Sequence, residues 1–193
     1  SLWATSVLFT TEPGDALGAH GQSHKWTMYD CVERVPLVFW SPKRFAARAP
    51  SDALVQLMDI APTVLEAAGV NIPSNWEASS LLPGLTRQET VGRDVVYAEL
   101  ARDHIQTGAE YIVMRRDREC KLVYYLNEPD GELFDLKNDP GEVRNLWASP
   151  DHREQRDRLV GEVLHWSMQG TLRARMPPQR KPTAANTWHC QHC

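Results

Sequence analysis

The sequence predicts an α/β fold in which a sheet core comes first, then a small antiparallel sheet, then a long C-terminal helix. Three observations carry this. Two continuous apolar runs, Ala4 to Phe9 and Val35 to Trp40, flank a long polar loop. Four short strand-like runs follow one another between Asp94 and Leu136, with turn residues between them. After Ser149-Pro150, apolar residues recur at helical spacing as far as Gly170,.

The first run reads as a buried strand ended by the Pro13-Gly14 pair,. The loop from Thr10 to Arg34 carries Glu12, Asp15, His20, His24 and Lys25, and its Gly14, Gly18 and Gly21 suggest a tightly bent backbone,. Open α/β sheets place their chemistry beyond the C-terminal ends of strands, which is where this loop falls. The unbroken apolarity of Val35 to Trp40 suits a strand covered on both faces of a mostly parallel sheet,. A helix follows, with Asp59 as N-cap, Pro62 in the first turn, a buried stripe of Ile60, Ala61, Val64, Leu65 and Ala68, and Gly69 at C′,. Residues 71–93 show no sustained period and read as a connecting excursion. They place a boundary between a unit at 1–88 and a second at 89–170.

In the second unit the strand candidates are Asp94 to Leu100, Tyr111 to Arg116, Lys121 to Tyr125 and Glu132 to Leu136. The Asn127-Glu128-Pro129-Asp130-Gly131 turn marks them as an antiparallel meander,. Asn138-Asp139-Pro140-Gly141-Glu142 has the chemistry of a turn rather than of a binding site,. Ser149 as N-cap and Pro150 at N1 open the final helix,. Leu159, Val160, Val163, Leu164 and Ser167 form its inward face, Arg153, Glu154, Arg156 and Asp157 its solvated one, and Gly170 its end. Residues 171–193, rich in Arg, Pro and Gln, are expected to form a poorly ordered tail.

Composition narrows the classes of function. At 193 residues the chain can bury one sizeable core, with or without a small satellite,. A net charge of −4 and a pI near 6.0 give no basic surface of the kind nucleic acid demands, so no nucleic-acid partner is expected,. No apolar run approaches the roughly 18 residues that suggest a membrane span, and no membrane partner is expected. Ser1 leads directly into the first apolar run without a signal-peptide pattern, so the chain reads as a portion of a longer polypeptide,. Cys31, Cys120, Cys190 and Cys193 do not form a disulfide framework,. Trp188-His189-Cys190-Gln191-His192-Cys193 has the donors for one zinc ion but lacks a second half-site, and reads as incidental composition,.

The run Thr10-Thr11-Glu12-Pro13-Gly14-Asp15-Ala16-Leu17-Gly18-Ala19-His20-Gly21, followed by Lys25, Tyr29 and Arg34-Val35-Pro36-Leu37, resembles a loop of the sulfatase family. There the pattern is Thr-Ser-Asp-His-Gly-Asp/Glu-x-Leu-Gly-x-His-Gly, then a lysine, an aromatic residue and Arg-Val-Pro-Leu. Asp59-Ile60-Ala61-Pro62-Thr63, Ser79-Ser80-Leu81-Leu82-Pro83-Gly84-Leu85, Lys121-Leu122-Val123-Tyr124-Tyr125 and Gly131-Glu132-Leu133-Phe134-Asp135-Leu136 echo later segments of the same family. The resemblance runs from Val7 to about Gly170 and matches only the family's C-terminal portion.

The resemblance implies the last part of an alkaline-phosphatase-like sheet core, and sulfuric ester hydrolysis by the complete family member. It also implies Ca2+ as cofactor, an anionic ester as substrate and a formylglycine nucleophile made in a Cys-x-Pro-Ser-Arg motif. Neither that motif nor the family's adjacent N-terminal aspartates occur here. The chain is therefore expected to need a missing N-terminal half, in the same or a separate chain, and to be inactive alone. By position, Glu12 corresponds to a metal-ligand aspartate, while Pro13 replaces the neighbouring ligand and offers no side-chain donor. Lys25 and His20 match the family's catalytic, sulfate-facing residues. Two readings stand for each: anion binding or solvated loop lysine for Lys25, proton transfer or a structural, loop-shaping histidine for His20. Two alternative functions stay open. One is a degenerate, non-catalytic binding or assembly module, and the other is a phosphodiester or phosphonate hydrolase of the same superfamily.

Overall fold

A computed structural model of the chain describes residues 5–45, 47, 49–87, 91–101 and 109–175. Two sheets organise them. Strands β1 (Val7–Thr10) and β2 (Leu37–Trp40) form a two-stranded ribbon, and the polar loop between them contains the four-residue helix α1 (Asp30–Glu33). Helices α2 (Ile60–Ala67) and α3 (Leu82–Arg87) follow. Next come β3 (Val96–Ala101), β4 (Tyr111–Arg116), β5 (Cys120–Tyr125) and β6 (Glu132–Asp135), paired in sequence order as an antiparallel meander, and then the long helix α4 (Arg153–Arg175). This is the α/β arrangement expected from the sequence, with the four strand candidates in place.

The meander forms because each run alternates sides across a sheet that is buried on both faces. Val113, Cys120, Leu122 and Leu133 meet Leu159 and Val163 of α4 on one face. Ile112, Met114 and Val123 meet Met28 of the polar loop on the other. The sheet is thus sandwiched between the final helix and the loop that carries the candidate chemistry. Asn145 closes the free edge of β6: its Oδ1 accepts the Leu133 N–H at 3.0 Å and its Nδ2 donates to the Gly131 carbonyl at 2.9 Å. Asp139 performs the turn duty expected of it, accepting the N–H groups of Val143 and Arg144.

Several local expectations are corrected. β1 and β2 are antiparallel, with Val7 opposite Trp40 and Thr10 opposite Leu37, not parallel members of a sheet covered on both sides. Their apolar side chains are largely exposed, Phe9 at 59% and Trp40 at 45%. An unbroken apolar run reports burial in a complete sheet but not strand direction, and among the described residues these two strands pair only with each other. In α2 the buried residues are Pro62 and Thr63, while Val64 is exposed. The helix lies against the 79–82 segment through Thr63, whose Oγ1 accepts the Leu81 N–H at 2.9 Å. Its C-terminus is as expected: Gly69 has φ 71°, and Val70 and Gly69 donate to the Leu65 and Glu66 carbonyls,.

Asp59 stands at the N-cap position of α2, as expected, but its side chain makes no capping hydrogen bond there. Its fully buried carboxylate accepts the Gln56 N–H at 2.9 Å and the Ser79 N–H at 2.8 Å and pairs with both terminal nitrogens of Arg93. Within the stretch read as irregular, α3 forms, with Pro83 in its first turn, where a missing N–H costs nothing,. α4 runs through Gly170 to Arg175, so residues 171–175 are helical rather than part of a tail. Glycine lowers helix propensity but ends a helix only by adopting a left-handed turn, and Gly170 has no positive φ,. Also on α4, Leu164 is exposed, whereas Arg156 turns inward, its guanidinium 5.4 Å from the Trp147 ring centre and donating to the Trp147 carbonyl. Residues 176–193, with Cys190 and Cys193, lie outside the described residues.

Candidate functional site

Beyond the end of β1 the backbone folds back on itself. Gly14 N–H donates to the Val32 carbonyl, Gly18 N–H to the Gln22 carbonyl, and the Lys25 N–H to Asp15 Oδ1 at 3.0 Å. Gly18 and Gly21 have φ of 98° and 71°, a left-handed conformation that costs glycine nothing,. His20 adopts a left-handed conformation too, at φ 52°, and its ring lies flat on Tyr29 with centres 3.8 Å apart and planes 2° from parallel. This closed lobe brings two of the sequence-predicted residues together: Lys25 Nζ lies 3.4 Å from Glu12 Oε2. Glu12 is 78% exposed and Lys25 37%, so both face solvent. His20 joins the lobe through Tyr29, and His24 is exposed.

The support beneath this lobe is ionic. Lys121, on the loop-facing side of β5, is fully buried. Its ammonium donates to the Met28 carbonyl at 2.9 Å and pairs with Asp30 Oδ1 and Glu142 Oε1, each at 2.5 Å. Glu142 Oε2 accepts the Asp30 N–H at 2.6 Å, and Arg116 pairs with Asp30 Oδ2 at 3.0 Å. Tyr29 OH donates to Glu132 at 2.9 Å. Burial alone would raise the Asp30 carboxyl, but Lys121 and Arg116 outweigh it and hold the group below the usual carboxylate range. Burial pushes the Glu132 carboxyl up despite the Tyr29 hydrogen bond, and pushes the Tyr29 hydroxyl up in turn. Sequence reasoning assigned no role to Lys121, and Glu142 only a turn. Nothing local marks them, because their contacts with Met28 and Asp30 reach about ninety to over a hundred positions along the chain.

A hard cation such as calcium needs six to eight oxygen ligands. Among the described residues no group of three or more His, Cys, Asp or Glu side chains is arranged to hold a metal. Glu12 offers one exposed carboxylate that already faces an ammonium, and Pro13 offers no donor. The residues present therefore do not by themselves fit the family's cation. Elsewhere, on the α4 side of the meander, a groove of about 870 Å3 is lined by Trp76, Tyr97, Trp166, Arg93 and Arg173. Its arginines are already engaged by Asp59 and Glu77.

Comparison with known proteins shows the family. Residues 18–169 match the family model described as N-sulphoglucosamine sulphohydrolase, C-terminal. An N-acetylglucosamine-6-O-sulfatase of Bacteroides thetaiotaomicron is 32% identical over 162 residues, covering 81% of this chain and 29% of the relative. A solved structure described as a complex with its substrate D-glucosamine-2-N,6-O-disulfate superposes with TM-score 0.75 at 27% identity, covering 92% of this chain and 36% of that one. A phosphonate monoester hydrolase from Silicibacter pomeroyi gives TM-score 0.77 at 26% identity, covering 86% and 35%. The architecture is thus that of hydrolases with an alkaline-phosphatase-like fold. Within that class the chain belongs to the sulfatase family, of which it carries a C-terminal portion. It spans about a third of the length of these relatives.

Proposed function

We propose that this chain supplies part of the active site of a sulfatase-type hydrolase that cleaves sulfuric esters, with the nucleophile carried by an N-terminal portion of the fold. Lys25 neutralises charge on the transferring group, His20 exchanges a proton at the leaving oxygen, and Glu12 sits at the cation position. Glu12 alone could supply no more than part of a calcium site, so any such site would need its other oxygen ligands from outside this chain,. The observation that carries the reading is the meeting of Lys25 and Glu12, 3.4 Å apart and open to solvent, on a lobe built at the end of β1. The exposed apolar side chains of β1 and β2 support a covering partner, since Val7, Phe9, Val38 and Trp40 form an apolar patch of the kind that marks an interaction surface,. Such a division of labour leaves the chain alone without turnover.

The test is hydrolysis of 4-nitrophenyl sulfate by the pure chain with calcium present. No turnover is expected alone, and turnover is expected once an N-terminal sulfatase portion is supplied. Robust activity from the chain by itself overturns the division of labour. Phosphonate ester hydrolysis is a second reading, favoured by the likeness to the Silicibacter pomeroyi enzyme. An ammonium such as Lys25 serves either anion, so parallel assay of 4-nitrophenyl phenylphosphonate distinguishes the two. A degenerate binding or assembly module, the third reading, predicts no turnover even in the completed protein.

A further inference from the structure

Lysine is an expensive residue to bury, and a hydrophobe of similar volume would fill the same space on β5. What Lys121 adds is direction. Its two hydrogen bonds converge on one short stretch, the Met28 carbonyl and the Asp30 carboxylate, and Glu142 adds an ion pair. Glu142 stands at φ 56°, a left-handed conformation uncommon for a residue with a side chain,. From there one carboxylate oxygen takes the Lys121 ammonium and the other the Asp30 N–H. A helix of four residues such as α1 has no stability of its own,. Its geometry is imposed by these contacts, with Arg116 completing them on Asp30.

The stretch so held is the one that aims the candidate groups. Met28 follows Lys25 by three residues, and Tyr29 carries the ring on which His20 lies. Tyr29 is itself tied to β6 through Glu132. We infer that Lys121 and Glu142 are positioning residues that fix the Lys25–His20 lobe from beneath, so that the meander acts as a clamp on the anion-facing loop. This rests on the reading of that lobe as anion-facing, and a displacement of the 28–30 backbone reaches both Lys25 and His20.

Amide hydrogen exchange on the full chain tests the clamp before any substitution is made. The amides of Asp30, Val32, Glu33 and Arg34 are expected to exchange in the same slow class as those of β5. Exchange about a hundredfold faster than β5 would show a free loop and overturn the inference. The double variant Lys121→Met/Glu142→Gln removes the clamp without stranding a carboxylate, because Asp30 keeps Arg116. Its loop amides should exchange at least about tenfold faster while β5 stays protected, and its affinity for inorganic sulfate should fall on the order of tenfold. Unchanged loop exchange contradicts the clamp, as does loosening of β5 to the same extent, which would make the pair a core support only. Lys25→Ala separates the two levels: it should abolish sulfate binding and leave exchange unaltered. A wild-type chain that is protected, loosens in the double variant and yet binds no sulfate would leave the clamp standing and remove the anion-facing role.

Discussion

Substituting Asp59 by asparagine probes the ion pair that joins α2 to the segments around Ser79 and Arg93. The carboxylate is fully buried and accepts from two backbone N–H groups as well as from both terminal nitrogens of Arg93. Asparagine keeps one acceptor oxygen and turns an NH2 toward a donor. The change removes a charge-assisted pair, worth about 1.5–3 kcal/mol per bond, and leaves a buried N–H unsatisfied, costing about 1–3 kcal/mol. Arg93 is 19% exposed and recovers part of this by hydration, so the net loss is about 3 kcal/mol, at the lower end for breaking a buried pair,. Equilibrium urea unfolding followed by circular dichroism measures it.

The pH dependence has a definite sign. Burial opposes ionisation of Asp59, but Arg93 and the Ser79 and Gln56 N–H groups outweigh it, and the folded carboxyl lies below its ordinary value of 3.8. A group depressed on folding contributes fully above its unfolded pKa and loses that contribution as pH falls toward its folded pKa. The difference between wild type and Asp59→Asn should therefore be complete at pH 7. It should narrow as the pH falls below 3.8,. A loss under about 0.5 kcal/mol at pH 7, the range of ordinary surface substitutions, would refute the argument. A difference that widens toward pH 3 would refute it equally.

Two further outcomes follow from packing and exposure. A Cβ at Gly131 would stand 2.6 Å from the Trp147 ring and 2.7 Å from the Val123 carbonyl oxygen, and the second of these is backbone that cannot yield cheaply. Gly131→Ala should lower stability by about 1–3 kcal/mol in urea unfolding, and a neutral result would mean the β5–β6 turn is loosely packed. Cys31 is exposed, whereas Cys120 is buried with its thiol pushed up to about 11 by burial first and by Asp117. Iodoacetamide at pH 8 with peptide mapping should label Cys31 in the native chain and Cys120 only after unfolding. Native labelling of Cys120 would place β5 nearer solvent than described.

The parts of the fold legible in the sequence were those set by neighbours in the chain. β4 and β5 announce themselves because Tyr111–Arg116 and Cys120–Tyr125 are β-rich runs joined by a short turn, and a meander needs nothing more distant. The direction of β1 against β2 was not legible, since Leu37–Trp40 has the same composition whichever way its partner runs. Asp59 looked like a cap because capping is the commonest use of that residue before a helix, and Arg93 is 34 positions away. Lys25 and Glu12 were singled out by the resemblance of their glycine-rich loop, and the structure brings them within 3.4 Å of each other. Lys121 and Glu142, which hold that loop, were not, because a charged residue on a strand or in a turn signals solvent until its tertiary partners are known.

Titration of inorganic sulfate into the chain, followed by NMR on the backbone amide signals of Gly18 and Gly21 in the same lobe, with chloride as control, tests the central claim most directly. If half of an anion-handling pocket stands at the end of β1, sulfate shifts those signals to saturation, chloride does not, and Lys25→Ala abolishes the response without changing stability by more than about 0.5–1 kcal/mol. No saturable shift, or equal binding by Lys25→Ala, would contradict it.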